Sequence, residues 1–222
     1  MSALRLLLSL TFLLLLPTST LYAQPVRVLL DEAIQDYLFQ DFDIAEKKFR
    51  SIISQAPGNV YARYYLGVIL SQKEKYEEAI EHLEFVSKAP VQIEGIDSTL
   101  AQAYQGAEQF DKALPLNKKT YLSDPDNDAA AFQYATNLQK TGANAEAKRV
   151  YNQLIKKNAA YTDAAHYQMG EMLYSEQSYI AAVKAFESID PDSPYGAAAK
   201  AYSAALHPDT PFYCLPLNRI LL

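Results

Sequence analysis

The 222-residue sequence has no tryptophan, one cysteine, three histidines and seven glycines. A lone Cys214 cannot form an internal disulfide, and no metal site built on a pair or a quartet of cysteines can be written, which excludes stapled mini-domains and zinc ribbons. His82, His166 and His207 are scattered along the chain and bring no nucleophile, base and orienting acid together. Gly-rich phosphate loops, His-Glu-x-x-His and Gly-x-Ser-x-Gly are also missing. Catalysis, metal binding and a bound cofactor are therefore not expected. Lys plus Arg number 20 against 26 Asp plus Glu, a formal charge of −6, so the surface does not collect phosphate and nucleic acid is excluded as a partner. What is present is half apolar and about a fifth charged, a composition that buries a core.

Long hydrophobic runs are confined to the N-terminus. A short basic start, Met1 to Arg5, precedes the largely apolar run Leu6–Leu16, then Pro17 and small or polar residues to Tyr22-Ala23. That order is the pattern of a secretory leader over residues 1–23, with cleavage expected after Ala23. Eleven residues fall short of the roughly 20 that a spanning helix needs, so no permanent membrane anchor is expected after cleavage. The expected location is exported: periplasmic, or peripheral to the outer membrane.

The remaining chain repeats. Starting points at Val26, Val60, Glu94 and Asp128 are 34 residues apart, and a fifth copy begins at Asp163 after one inserted residue. The copies span about 26–59, 60–93, 94–127, 128–161 and 163–196. The eighth position reads Ala33, Gly67, Ala101, Ala135 and Gly170; the twentieth is Ala45, Ala79, Ala113, Ala147 and Ala182. Residues this small let two helices approach closely. Larger ones alternate with them: Phe42, Tyr76, Phe110, Asn144 and Tyr179 at position seventeen, and Phe49, Leu83, Asn117, Tyr151 and Phe186 at position twenty-four. Apolar positions four, seven, eight and eleven, and again twenty, twenty-four and twenty-seven, give helical spacing twice per copy, so each copy reads as a helical hairpin. Pro-, Asn- and Asp-containing breaks at 55–59, 123–127 and 190–194 separate the hairpins and offer caps. Gly142 stands where a helix end favours positive φ.

Period, small eighth position, alanine at twenty, aromatic at seventeen and proline near thirty-two together resemble the tetratricopeptide repeat (TPR) from Val26 to Gly196. The resemblance implies an all-α, right-handed superhelical solenoid of five TPR-like hairpins, with residues 195–206 as a C-terminal capping helix. It also implies a non-catalytic scaffold that holds a protein or peptide partner on the concave face lined by first helices. In the family the second, fifth, ninth and twelfth positions of the first helix face that groove. Carried onto this chain, the partner-binding residues are Tyr61, Tyr64, Gln102, Gln105, Phe132, Gln139, Tyr167, Glu171 and Tyr174. The groove so defined is aromatic, amide-rich and nearly uncharged. None of copies two to five places Lys at the fifth and Asn at the ninth position, which excludes the carboxylate clamp of some relatives. Tyrosine and glutamine suit an extended apolar or proline-containing segment instead; alternatively the tyrosines close on neighbouring helices or a folded-back terminus.

The charged stretch Lys73 to Glu84 reads as a solvated helix face with i,i+4 pairs, and Glu78 with His82 has no third ligand for a metal. In the first copy Glu32 and Asp36 fall at nominally buried positions, so the array either begins with a polar cap or slips by one to use Tyr37. Pro115, Asn117 and Thr120 interrupt the second helix of the third copy, and Val91 to Gly95 loosens the chain before its first helix. Residues 207–222, with Pro208, Pro211 and Pro216, are an irregular tail or the beginning of a further module. The alternative function is a structural or oligomerising accessory subunit of an outer-membrane assembly or secretion system, acting through that tail or an end-face.

Overall fold

A computed structural model describes residues 19–157 and 160–206, with side chains from residue 26 onward. Residues 1–18 of the expected leader, Asn158 and Ala159, and the tail 207–222 with His207 and Cys214 lie outside the described residues. Eleven α-helices and no strand are present among them: α1 Ser19–Leu38, α2 Phe42–Gln55, α3 Val60–Gln72, α4 Tyr76–Ser87, α5 Ile96–Gly106, α6 Phe110–Ser123, α7 Asp128–Lys140, α8 Asn144–Lys157, α9 Thr162–Ser175, α10 Tyr179–Glu187 and α11 Gly196–Leu206. Position seventeen of each copy is the first residue of its second helix. The chain divides into two compact units, one ending at Ala107 and the other beginning at Glu108. The first contains α1 to α5 and the second α6 to α11.

Each hairpin packs through the contrast of small and large that the period announced. All five alanines at position twenty are fully buried, as are Ala33, Ala101 and Ala135 at position eight. Glycine fills that position where the facing side chain comes closest: a Cβ on Gly67 would stand 2.7 Å from Leu83 Cγ, and one on Gly170 would stand 2.6 Å from the Phe186 ring. Position twenty-four supplies the bulk, with Phe49, Leu83, Tyr151 and Phe186 at most 2% exposed. Each such side chain contributes roughly 1.5–3 kcal/mol by leaving water.

The hairpin turns share one conformation. Position fifteen is left-handed in every copy, at Gln40, Glu74, Glu108, Gly142 and Gln177, with φ of 65°, 58°, 56°, 82° and 61°. Between hairpins, Asn59 and Asn127 cap α3 and α7 by accepting the amides of Ala62 and Ala130 at 2.9 and 3.0 Å.

The first unit opens with both devices that its polar α1 positions suggested. Glu32 and Asp36 pair with Lys48 at 3.2 and 2.9 Å. Tyr37 turns inward to rest on Phe42 and Tyr65, with ring centroids 5.7 and 5.0 Å away. Within this unit α3 packs against both α1 and α5, so its three first helices form one layer.

In the second unit each helix packs on the next, and α11 closes α10. Ala182, Phe186, Ile189, Ala199 and Leu206 form the core of that closure. Pro115 sits inside α6, and Asn117 occupies the bulky position twenty-four with 4% exposure and no partner for its amide nitrogen.

Candidate partner-binding faces

Each unit presents a face of first-helix residues. On the first, α3 presents Tyr61 and Tyr64 and α5 presents Gln102 and Gln105. Tyr61 is 49% exposed and Gln102 is exposed; Tyr64 and Gln105 are half-buried. Tyr64 sets its edge against Tyr65 at 5.4 Å, and Tyr65 stacks on the buried Phe49. The aromatic stripe is thus anchored from beneath while Tyr61 stays open to solvent. Ser71 at position twelve donates to the Gly67 carbonyl at 2.9 Å, which leaves the stripe weakly polar at its far end.

On the second unit the predicted residues are more closely engaged. Phe132 lies between Tyr151 and Tyr161, with centroids 5.8 and 5.2 Å away. Tyr151, a core residue by its position, carries its hydroxyl to Thr136 and to Gln139 Oε1, each at 3.1 Å. Burial pushes its pKa up to about 12. Tyr167 and Tyr174 close against α11: Tyr202 meets both rings at 6.1 Å, and Tyr195 meets Tyr167 at 5.3 Å. On the same side of α9 lies Glu171, half-buried, with the Tyr167 and Tyr202 hydroxyls near enough to act on its carboxylate. Burial raises its pKa against the opposing pull of Lys140 and the two hydroxyls.

All nine predicted residues therefore lie on first helices, four in one unit and five in the other. Sequence reasoning missed Tyr151, Tyr161, Tyr195 and Tyr202 as contributors. The signal for Tyr202 was its spacing of four from Leu206 in the closing helix; nothing in the period indicated which inner-face side chains it would reach.

The charged stretch of the second copy behaves as a solvated face. Arg50 bridges Glu46 and Glu78 at 2.8 and 2.6 Å, and Lys88 pairs with Glu84 one turn away at 2.8 Å. His82 faces Arg63, with Nδ1 3.2 Å from the guanidinium, and burial followed by that positive charge lowers its pKa. Among the described residues no group of three His, Cys, Asp or Glu side chains could hold a metal ion. No helix among them is long and apolar enough to cross a membrane. Open clefts of about 490 and 400 Å³ lie elsewhere, one around Phe42 and Lys73 and the other around Pro125 and Lys157; neither is lined by a predicted residue.

The family model described as "Tetratricopeptide repeat" matches residues 30–85, the stretch from α1 to α4. Residues 30–85 thus match the tetratricopeptide repeat family. Solved structures of similar fold include YrrB, a TPR protein described as having an unusual peptide-binding site, at 19% identity and a TM-score of 0.67, covering 78% of this chain and 90% of YrrB. MamA of AMB-1 is 17% identical with a TM-score of 0.65, covering 79% of this chain and 97% of MamA. A MamA piece from Desulfovibrio magneticus RS-1 is 21% identical with a TM-score of 0.53, covering 59% of this chain and 74% of that piece. At these identities the likeness concerns the TPR fold. Comparison with curated proteins found no match.

Proposed function

We propose that this TPR protein is a non-catalytic interaction scaffold that holds a segment of a protein partner against the first-helix faces of its units. One observation carries the reading: Tyr61, Tyr64, Gln102, Gln105, Phe132, Gln139, Tyr167 and Tyr174 are half or fully open, while Ala62, Leu66, Leu70, Ala101, Tyr134 and Leu138 of the same set of helices are buried. An extended segment can lay apolar side chains on Tyr61 and Tyr64 and offer its backbone to Gln102 and Gln105. YrrB, of the same fold, is described as having a peptide-binding site, which supports the reading by analogy. The test is binding of labelled degenerate peptides to the full chain and to a Tyr61→Ala/Gln102→Ala variant, two open positions that support no core. A loss of affinity of about tenfold is expected, the equivalent of about 1.4 kcal/mol. Unchanged affinity removes the first-unit face from the function.

The leader-like residues 1–23 support an exported protein acting in the cell envelope, in the periplasm or at the outer membrane. Fractionation with N-terminal sequencing checks this, with Gln24 expected as the first residue of the envelope form; a cytosolic chain that retains Met1 refutes it.

A further inference from the structure

Glu171 is the only acidic residue among the predicted face positions, and its surroundings set it apart from the other carboxylates of the second unit. Tyr167 precedes it by four residues and Tyr174 follows it by three, so all three share one side of α9. From α11, Tyr202 stands between the two tyrosines and stacks on Phe186 with its ring 4.6 Å away. Glu171 is half-buried beside these rings, and its carboxylate forms no ion pair with any described residue. Lys140 acts on it only at a distance and lies 6.0 Å above the Phe110 ring.

A carboxylate half removed from water without a cation is unfavourable, and the upward pull of burial on its pKa expresses the same imbalance. The ionised carboxylate accepts through two oxygens. That pair of oxygens matches the fork of a guanidinium, and tyrosine faces attract the same planar cation. An ammonium meets the charge but not the planar stacking.

We propose that the second unit's face is an arginine-reading site, in which Glu171 pairs with the guanidinium of a partner segment packed against the rings of Tyr174 and Tyr202. This rests on the peptide-binding reading above and specifies the chemistry of the segment. The chain's net charge of −6 favours approach of such a segment.

The test uses four pools of fluorescein-labelled nonapeptides, randomised among uncharged residues except for a central Arg, Lys, citrulline or Glu, with anisotropy read on the full chain. The Arg pool is expected to bind about tenfold tighter than the citrulline pool, its neutral isostere, with Lys between them and Glu weakest. Glu171→Gln keeps the shape and a carbonyl acceptor and removes the charge. It should bring the Arg pool down to the citrulline level without lowering the urea midpoint of unfolding. Tyr174→Leu, a second variant that leaves the Glu171 carboxylate in place, should reduce the Arg preference about fivefold. Equal binding of Arg and citrulline overturns the arginine site and leaves the peptide-binding reading intact; binding of no pool overturns both. An Arg preference that survives Glu171→Gln also overturns the site. So does a tenfold gain in affinity for the Arg pool in Arg219→Gln, because the chain's own tail would then be the occupant.

Discussion

At the scale of single residues, position fifteen shows how a repeat chooses geometry over side-chain preference. Four of its five occupants are Gln or Glu held at φ between 56° and 65°, a region that disfavours a Cβ. The fifth, Gly142, has φ of 82° and no atom within 4 Å of the place where a Cβ would be, so any cost of adding one there comes from backbone strain alone. Gly142→Ala is therefore expected to lose about 1 kcal/mol, and Glu74→Gly to gain up to about 1 kcal/mol. Gly58 is the control, since its Cβ position is equally open and its φ is not positive. Gly58→Ala should be neutral or stabilising by a few tenths of a kcal/mol through the unfolded chain. Urea unfolding of the three variants checks this, and equal losses in Gly142→Ala and Gly58→Ala would refute the strain argument.

Between elements, the hairpins are tied by tyrosines whose hydroxyls reach a neighbouring helix. Tyr104 of α5 donates to Glu84 of α4 at 2.7 Å, and Tyr134 of α7 donates to Glu146 of α8 at 2.9 Å. Burial first, then the adjacent carboxylate, raises both pKa values to about 12; Tyr151 reaches about 12 chiefly by burial. Because the folded values exceed the ordinary value of 10, these groups contribute stability fully below pH 10 and lose it as pH rises toward 12. Absorbance at 295 nm should show a late-ionising fraction of the 17 tyrosines, and the unfolding midpoint should fall from about pH 10 upward. A single titration step near pH 10 in the folded chain would contradict the burial of all three. These same elements mark what could be read beforehand. The helix pairs, the start of every second helix, the alanine stripe and the bulky position twenty-four were legible because a hairpin is complete within 34 residues and repeats. The engagement of Tyr167, Glu171 and Tyr174 was not, because it depends on α11, which has no counterpart in the period. Tyr151 was read correctly as core, but its hydroxyl passes through to Gln139, a long-range detail that spacing alone does not encode.

Across the whole molecule, a stack of repeats is only as uniform as its nearest-neighbour contacts, and the third copy departs from the others in several ways at once. Its first helix is preceded by Gly95 in a left-handed conformation without a side-chain cap, where α3 and α7 each have an asparagine. Pro115 removes one amide from the α6 ladder, Asn117 replaces a bulky apolar residue, and Thr120 turns its hydroxyl back to the Leu116 carbonyl at 3.1 Å. The fourth copy also buries one unpartnered amide, Asn137, but its Tyr134, Val150, Tyr151 and Leu154 are all at most 2% exposed. Local opening should therefore be cheaper in the third copy, and amides of 96–122 are expected to exchange faster than those of 128–157. Asn117→Leu restores the side chain that Leu83 provides one repeat earlier and removes a buried unpartnered donor, a gain of about 1 kcal/mol. If these defects set the local stability, the variant slows exchange across α6 while leaving the fourth copy unchanged. Equal protection of the two copies in the unaltered chain, or no slowing in Asn117→Leu, would mean that stability is shared over the repeats rather than limited by the third.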